Sequence, residues 1–396
     1  MKYKTVKLGE YLYIKGRIGW KGLKKSEYLL HSDYRIINGE ALTAGGIDWS
    51  KAGYITKERY DESPEIMLQE GDILVSKDGT IGKIGFVTAL EVPTTVASGI
   101  FVIRNLKPEL IDTRFIYNFL RSKSFKDFIT MRTEGSVIPH LYQKDFVELD
   151  FPLPELFEQK RIVSILDVIN SKIDLNKAIN ENLLQQAQSI FNQKFFSFNG
   201  IPDGWHKSSL LGIANYLNGL AMQKHRPKNN EHGLPVLKIK ELRQGFCDFN
   251  SELCSPSINP EYIVHDGDVI FSWSGSLLVD FWCGGTCGLN QHLFKVTSSI
   301  YDKWFYYAWT KHHLQKFAAI AADMATTMGH IKREELAKAK VLIPSQFDYD
   351  RIGNLLAPLY DLIIANRIEN RKLASVRDEL LPCLMSGEID VSALDI

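Results

Sequence analysis

Apolar residues along the chain recur at alternating spacings of three and four in two long stretches. Ile162, Leu166, Ile169, Ile173, Asn176, Asn180, Leu183, Ala187 and Ile190 trace one stripe. Shifted by 190, Ile352, Leu356, Leu359, Ile363, Asn366, Asn370, Leu373, Arg377 and Leu380 trace a second. Such spacing predicts long helices with a coiled-coil seam. Each rod of about 35 residues, at ~1.5 Å per residue, would be roughly 50 Å long, more than one small domain can cover. The two rods are therefore expected to pair antiparallel with each other, which would put the two domains at opposite ends about a pseudo-two-fold axis. Matched asparagines interrupt both seams, where a buried amide costs stability and fixes register. No proline falls between Pro154 and Pro202, whereas Pro358 and Pro382 should kink or terminate the second rod locally.

Ahead of each rod lies a stretch of short β-branched runs bounded by Gly and Asp. The first predicts strands at Ile73–Ser76, Ile84–Val87 and Ile100–Arg104, then a helix near Asp112–Phe128. The second predicts strands at Val236–Ile239, Val269–Ser272 and Leu293–Val296, then a helix near Lys303–Ala319. These stretches repeat as well. Glu70-Gly71-Asp72-Ile73-Leu74-Val75-Ser76 aligns with Asp266-Gly267-Asp268-Val269-Ile270-Phe271-Ser272, and His140 falls opposite His330. The expected fold is α+β: two β-rich mixed domains and two long helices in an antiparallel coiled coil, the whole an internal repeat with pseudo-two-fold symmetry. The boundaries read as a domain over 1–154, a spacer helix over 155–198, a second domain over 199–344 and a second spacer over 345–390.

Composition narrows the function classes. The 396 residues suit two domains of about 150 residues with connecting structure. Neither a membrane span nor a signal-peptide core is apparent, and five unevenly spread cysteines do not make a disulfide framework, so a reducing cytoplasm is the expected setting. Forty-seven basic and 47 acidic residues argue against indiscriminate nucleic-acid coating, though not against a locally basic groove. No phosphate loop, adenosylmethionine-binding glycine motif or Asn/Asp-Pro-Pro-aromatic tetrapeptide occurs. Asp150 with Glu158-Gln159-Lys160 has a nuclease-like composition, but Glu158 and Lys160 open a rod rather than end a strand. Cys247, Cys254, Cys283, Cys287 and His292 are too irregularly spaced for a zinc site. The expectation is no catalytic residue, no metal and no cofactor.

Two variable domains on a paired-helix spacer suit two short DNA sequences at fixed separation. Glu158-Gln159-Lys160-Arg161-Ile162, Glu70-Gly71-Asp72-Ile73-Leu74 before Gly79-Thr80-Ile81-Gly82, and Leu380-Leu381-Pro382-Cys383-Leu384-Met385-Ser386-Gly387-Glu388-Ile389 resemble the specificity subunit of type I restriction-modification systems, over essentially the whole chain. That resemblance implies a non-catalytic subunit with two target recognition domains, each reading one half of a bipartite double-stranded DNA site. It also implies partners: DNA methyltransferase subunits (two of them) bound by the helices, and through them a restriction and translocase subunit. The alternative is a non-catalytic scaffold holding two protein-binding domains.

Base reading needs polar side chains flanked by cations. In the first domain the expected DNA-binding residues are Lys77, Thr80 and Lys83 on the glycine-rich turn, with Arg132, Thr133, Ser136 and His140. In the second they are Ser274 and Ser276 on the turn, Lys238, Lys240 and Arg243 on a strand-to-loop stretch, and Thr326, Thr327 and His330. Asn176, Asn180, Asn366 and Asn370 are expected to set the spacer register. Lys21, Lys24 and Lys25 form a further basic cluster near Trp20. Ile165, Ile179, Phe191, Phe195 and Phe196, off the seam, are candidates for covering a partner. The half-site sequences are not legible at this level.

Overall fold

The computed structural model describes residues 3–18, 21–43, 45–133, 140–228, 230–248, 250–323 and 331–392. The chain divides into two compact units, Met1–Asn170 with Ala374–Ile396, and Ser171–Leu373. Each is built on the same plan.

In the first unit Lys4–Lys7 pairs antiparallel with Asp150–Leu153, closing the start of the domain onto its end. A four-stranded antiparallel sheet takes the order Leu12–Gly16, Ile100–Asn105, Ile73–Ser76, Ile84–Phe86. A smaller sheet joins Tyr34–Ile37 in parallel to Thr94–Val96. The second unit repeats all three features. His206–Ser209 pairs with Lys340–Ile343, and a sheet runs Asn215–Asn218, Leu293–Thr297, Val269–Ser272, Leu278–Phe281. Leu234–Leu237 lies parallel to Cys287–Leu289. Fully buried β-branched and aromatic runs explain the central strands: Ile73–Ser76 and Val269–Ser272 have no exposed residue.

The helix expected near Asp112–Phe128 is two helices, Thr113–Arg121 and Lys123–Thr133. Ser122 breaks the run by taking an extended backbone (ψ 163°), and its hydroxyl then accepts from Phe125 N–H at 3.3 Å as a new N-cap. Lys303–Asp323 is continuous.

The long helices span Leu156–Phe196 and Gln346–Ser386. The second runs unbroken past Pro358 and Pro382, so neither proline terminates it. Within the second unit the two helices run antiparallel. Asn176 Nδ2 donates to Asn370 Oδ1 and Asn366 Nδ2 to Asn180 Oδ1, both at 2.9 Å. The remaining amides reach backbone: Asn370 Nδ2 to Ile173 O at 3.3 Å and Asn180 Nδ2 to Ile363 O at 3.4 Å. A shift of 190 carries each of these bonds onto the other, so the network has local pseudo-two-fold symmetry. Within the first unit, Ile162, Val163 and Leu166 share a core with Leu381, Leu384 and Met385, and Arg377 Nη1 donates to Asn170 Oδ1 at 3.1 Å.

Phe191 and Phe195, expected to cover a partner, are instead 1% exposed in the second unit's core, meeting Trp309 at ring separations of 5.2 Å. Phe196 stacks on His312 at 4.6 Å, and Ile165 packs partly against the first unit's core. Ile179 is the member of that group left exposed without such packing, at 36%.

Candidate nucleic-acid interface

The acidic-Gly-Asp motif turns out to be scaffolding. Gly71 and Gly267 hold φ of +89° and +84°, a left-handed backbone that glycine enters without a Cβ penalty. That turn aims Asp72 inward, where Oδ2 accepts from Gln69 N–H at 2.7 Å and both oxygens meet Arg104 at 2.7 and 2.8 Å. Asp268 does the same, accepting from His265 N–H at 2.8 Å and pairing with Lys295 at 2.9 Å. A carboxylate that caps its own turn and pairs across to the next strand pins the strand that follows.

That strand delivers a polar turn. In the first unit Ser76 Oγ donates to Thr80 O at 2.7 Å and accepts from Lys83 N–H at 2.8 Å, closing the loop Lys77–Lys83. In the second, shorter loop, Ser272 Oγ donates to Ser274 O at 3.2 Å. Each turn is tied to the segment before its long helix by one bond in the same place: Leu141 N–H to Lys77 O at 3.1 Å, and Ile331 N–H to Trp273 O at 3.0 Å.

On the first turn Thr80 is exposed, Lys77 Nζ lies 5.1 Å over the Phe101 ring, and Lys83 Nζ donates to Gly39 O at 3.0 Å. His140 joins them, with Nδ1 hydrogen-bonded to Asp78 and its ring edge-on to Tyr142 at 4.5 Å. Arg132 lies farther along and is engaged by Asp145 at 3.7 Å and Glu148 at 3.4 Å. Asp78 and Tyr142 belong to the cluster through their contacts with His140, which spacing along the chain does not reveal. Thr133 ends a helix; Ser136, Thr326, Thr327 and His330 lie outside the described residues, as does Trp20. Lys21 Nζ donates to Glu62 O at 2.6 Å.

In the second unit Ser276 is exposed, but Ser274 is only 1% exposed and sits beneath the turn. Lys238 lies directly after the strand Leu234–Leu237, as the N-cap of a helix, Ile239–Gln244, that carries Lys240 and Arg243 where a loop was expected. The helix N-terminus is closed by Glu241 accepting from Lys238 N–H at 3.2 Å, and its end is turned by Gly245 at φ +84°. Lys238 and Arg226 flank Glu252, and Lys238 holds that carboxyl below the usual range. Lys240 pairs with Asp248 at 3.1 Å, and Arg243 is exposed. The surface beside this turn is instead carried by Trp273, Asn218, Gln291 and His292, which sequence spacing does not link.

Other chemistry has mundane occupants. Glu158 accepts from Glu155 N–H at 3.2 Å at the helix start, and Asp150 pairs with Lys7 at 2.7 Å. Among the described residues no His, Cys, Asp and Glu group has metal-holding geometry, and no helix is long and apolar enough to cross a membrane. Cys254 and Cys287 are buried among apolar residues, and burial pushes the Cys287 thiol well above its ordinary range.

Two copies of one α+β unit, each presenting a polar turn of different composition, define a class of duplicated recognition protein. The comparisons with known proteins make that class specific: the pattern described as the type I restriction modification DNA specificity domain matches residues 2–185 and again 202–376, and the chain belongs to that family. The specificity subunit of the type I restriction enzyme MjaIX of Methanocaldococcus jannaschii is 24% identical over 363 residues, covering 86% of this chain and 82% of that protein. The EcoKI specificity subunit of Escherichia coli is 26% identical over 429 residues, covering 95% and 90%. A crystal structure of the S subunit of a type I restriction-modification system from M. genitalium shares the fold, with a TM-score of 0.55, 15% identity and coverage of 97% and 96%.

Proposed function

We infer that this chain is the DNA sequence-specificity subunit of a type I restriction-modification complex. The observation that carries the inference is the double match to the DNA specificity family, one match per repeat. Residues 1–154 and 199–344 then each read one half of a bipartite double-stranded site, while helices 155–198 and 345–390 set the spacing and bind two methyltransferase subunits. A restriction and translocase subunit joins through them, in the cytoplasm. The chain itself supplies no catalytic group. In the first unit Lys77, Thr80, Lys83 and His140 face DNA; in the second Ser276, Lys240 and Arg243 do. Asn176, Asn180, Asn366 and Asn370 hold the helix register.

The decisive experiment maps methylated bases in DNA from cells expressing the chain with its methyltransferase partner. A split motif of two short sequences with a fixed spacer is expected; methylation without sequence preference would overturn the reading. Inserting four residues, about one helical turn, into both long helices should change the preferred spacer. An unchanged spacer would sink the spacing role.

A further inference from the structure

The strand registers put the two turns in strict correspondence. Gly16 lies opposite Phe101, as Asn218 lies opposite Phe294. Ser76 lies opposite Ile100, as Ser272 lies opposite Leu293. Four places around the turn therefore match: Gly16, Lys77, Ser98 and Gly99 in the first unit, and Asn218, Trp273, Gln291 and His292 in the second. The first unit fills three of them with small residues. The second fills them with two amides, an indole and an imidazole.

Those side chains are organised. Trp273 Nε1–H donates to Asn218 Oδ1 at 3.0 Å, and the Trp273 and His292 rings lie 6.2 Å apart. An indole N–H can only donate, so this bond fixes which way the Asn218 amide faces: Oδ1 toward the indole, both Nδ2 hydrogens away from it. Asn218 is exposed. Gln291 Nε2 lies 3.4 Å from His292 Nε2; an amide nitrogen only donates, so the imidazole nitrogen accepts and Oε1 remains as an acceptor on the half-buried Gln291 side chain. One donor and one acceptor, linked through the Trp273 and His292 rings, complement the major-groove edge of adenine, which offers N7 as acceptor and N6–H as donor.

We propose that Asn218 and Gln291, held by Trp273 and His292, read an adenine in the half-site of the second unit, Asn218 donating to N7 and Gln291 accepting from the N6 amino group. The inference rests on the specificity-subunit reading above and adds the residues and the base. The first unit, with Gly16, Ser98 and Gly99 at three of those places, reads its half-site by other means.

The test uses the assembled complex with the methyltransferase subunits and duplexes carrying the mapped site. Each adenine in turn is replaced by 7-deazaadenine, which lacks N7, or by purine, which lacks the amino group. At one adenine, in one half-site only, 7-deazaadenine should weaken binding about tenfold for the unchanged complex and less than twofold for Asn218→Ala. At that same adenine, purine should show the matching loss with the unchanged complex and little with Gln291→Ala. Asn218→Asp keeps the acceptor for Trp273 while removing the donors, so it should lose the N7 dependence just as Asn218→Ala does. Equal analogue losses in the unchanged and variant complexes at every adenine would overturn the proposal. Absence of any sequence preference with unmodified DNA would overturn the specificity reading, and this inference with it.

Discussion

Gln159 and Tyr349 occupy the same place in the two units and meet the same backbone group with different chemistry. Gln159 is fully buried; its Oε1 accepts from Asp112 N–H at 2.8 Å, and its Nε2 donates to Leu110 O and Pro154 O, both at 2.9 Å. In the second unit the phenol of Tyr349 accepts from Asp302 N–H at 2.7 Å and donates to Asp302 Oδ2 at 3.1 Å. What the repeat preserves here is an obligation, since a backbone donor in this position must find an acceptor. The difference lies in how much else each side chain satisfies. Gln159→Leu strands one donor and two acceptors and should cost about 3 kcal/mol, whereas Tyr349→Phe strands fewer groups and should cost about 1–2 kcal/mol. Urea unfolding of the two variants, with hydrogen exchange at the Asp112 and Asp302 amides, checks the order. A Tyr349→Phe loss equal to or larger than that of Gln159→Leu would break the comparison.

The strand-pinning aspartates extend it. The Asp72 side chain has no exposure and takes two charged bonds from Arg104, while Asp268 is a quarter exposed and has one short contact to Lys295. Asp72→Asn should therefore cost about 2–3 kcal/mol and Asp268→Asn about 1 kcal/mol, because charge-assisted bonds weaken with solvent access. Thermal unfolding of both variants decides it; equal costs would mean that the motif serves the glycine turn alone and the ion pair adds little.

The features visible in the sequence are those that local spacing determines. Period-three-and-four stripes marked the long helices, and β-branched runs marked the strands Ile73–Ser76 and Val269–Ser272, which the structure places centrally. The turns were visible through their glycines. What escaped depends on register between distant strands. Asn218, Trp273 and Gln291 are 55 and 18 residues apart in sequence, and the pairing of both Asn215–Asn218 and Val269–Ser272 with Leu293–Thr297 brings their ends together. A serine on a turn is usually outside, and the burial of Ser274 in a loop one residue shorter by strand register is not encoded locally. The helix that carries Lys240 and Arg243 is six residues long, too short for its periodicity to show in the sequence. Pro358 failed as a terminator because flanking helical turns can carry the chain past one missing donor.

A smaller effect, within the second unit, depends on pH. Arg371 of the second helix clamps Asp266 through two bonds of 2.7 Å, and Gly285 N–H adds a third at 2.8 Å. This holds the Asp266 carboxyl below its ordinary value, chiefly through the Arg371 hydrogen bonds. A depressed folded-state pKa contributes stability that is present above the unfolded value and lost as pH falls through the folded one. Asp266→Asn should cost about 1 kcal/mol at neutral pH, and the gap to the unchanged chain should close in acid. A gap that stays constant through the carboxylate range would remove the ion pair from the account.

The smallest effect on stability belongs to the paired asparagines. Asn176 and Asn180 are 1% and 6% exposed, and Asn176 Oδ1 is buried with no hydrogen-bond partner. Buried amides in an apolar seam cost free energy relative to leucine, so Asn180→Leu with Asn366→Leu, made together, should leave the melting temperature unchanged or raise it slightly. Their value lies in excluding other alignments, because Asn366 to Asn180 and Asn180 to Ile363 O are satisfied in one register only. The double variant should therefore keep its fold while discriminating less sharply between DNA sites whose spacers differ by one base pair. Methylation of a ladder of spacer lengths reads this directly. Undiminished discrimination in the double-leucine chain would leave Asn180 and Asn366 as tolerated polar packing, and register would then rest on the apolar seam and the Asn176–Asn370 pair.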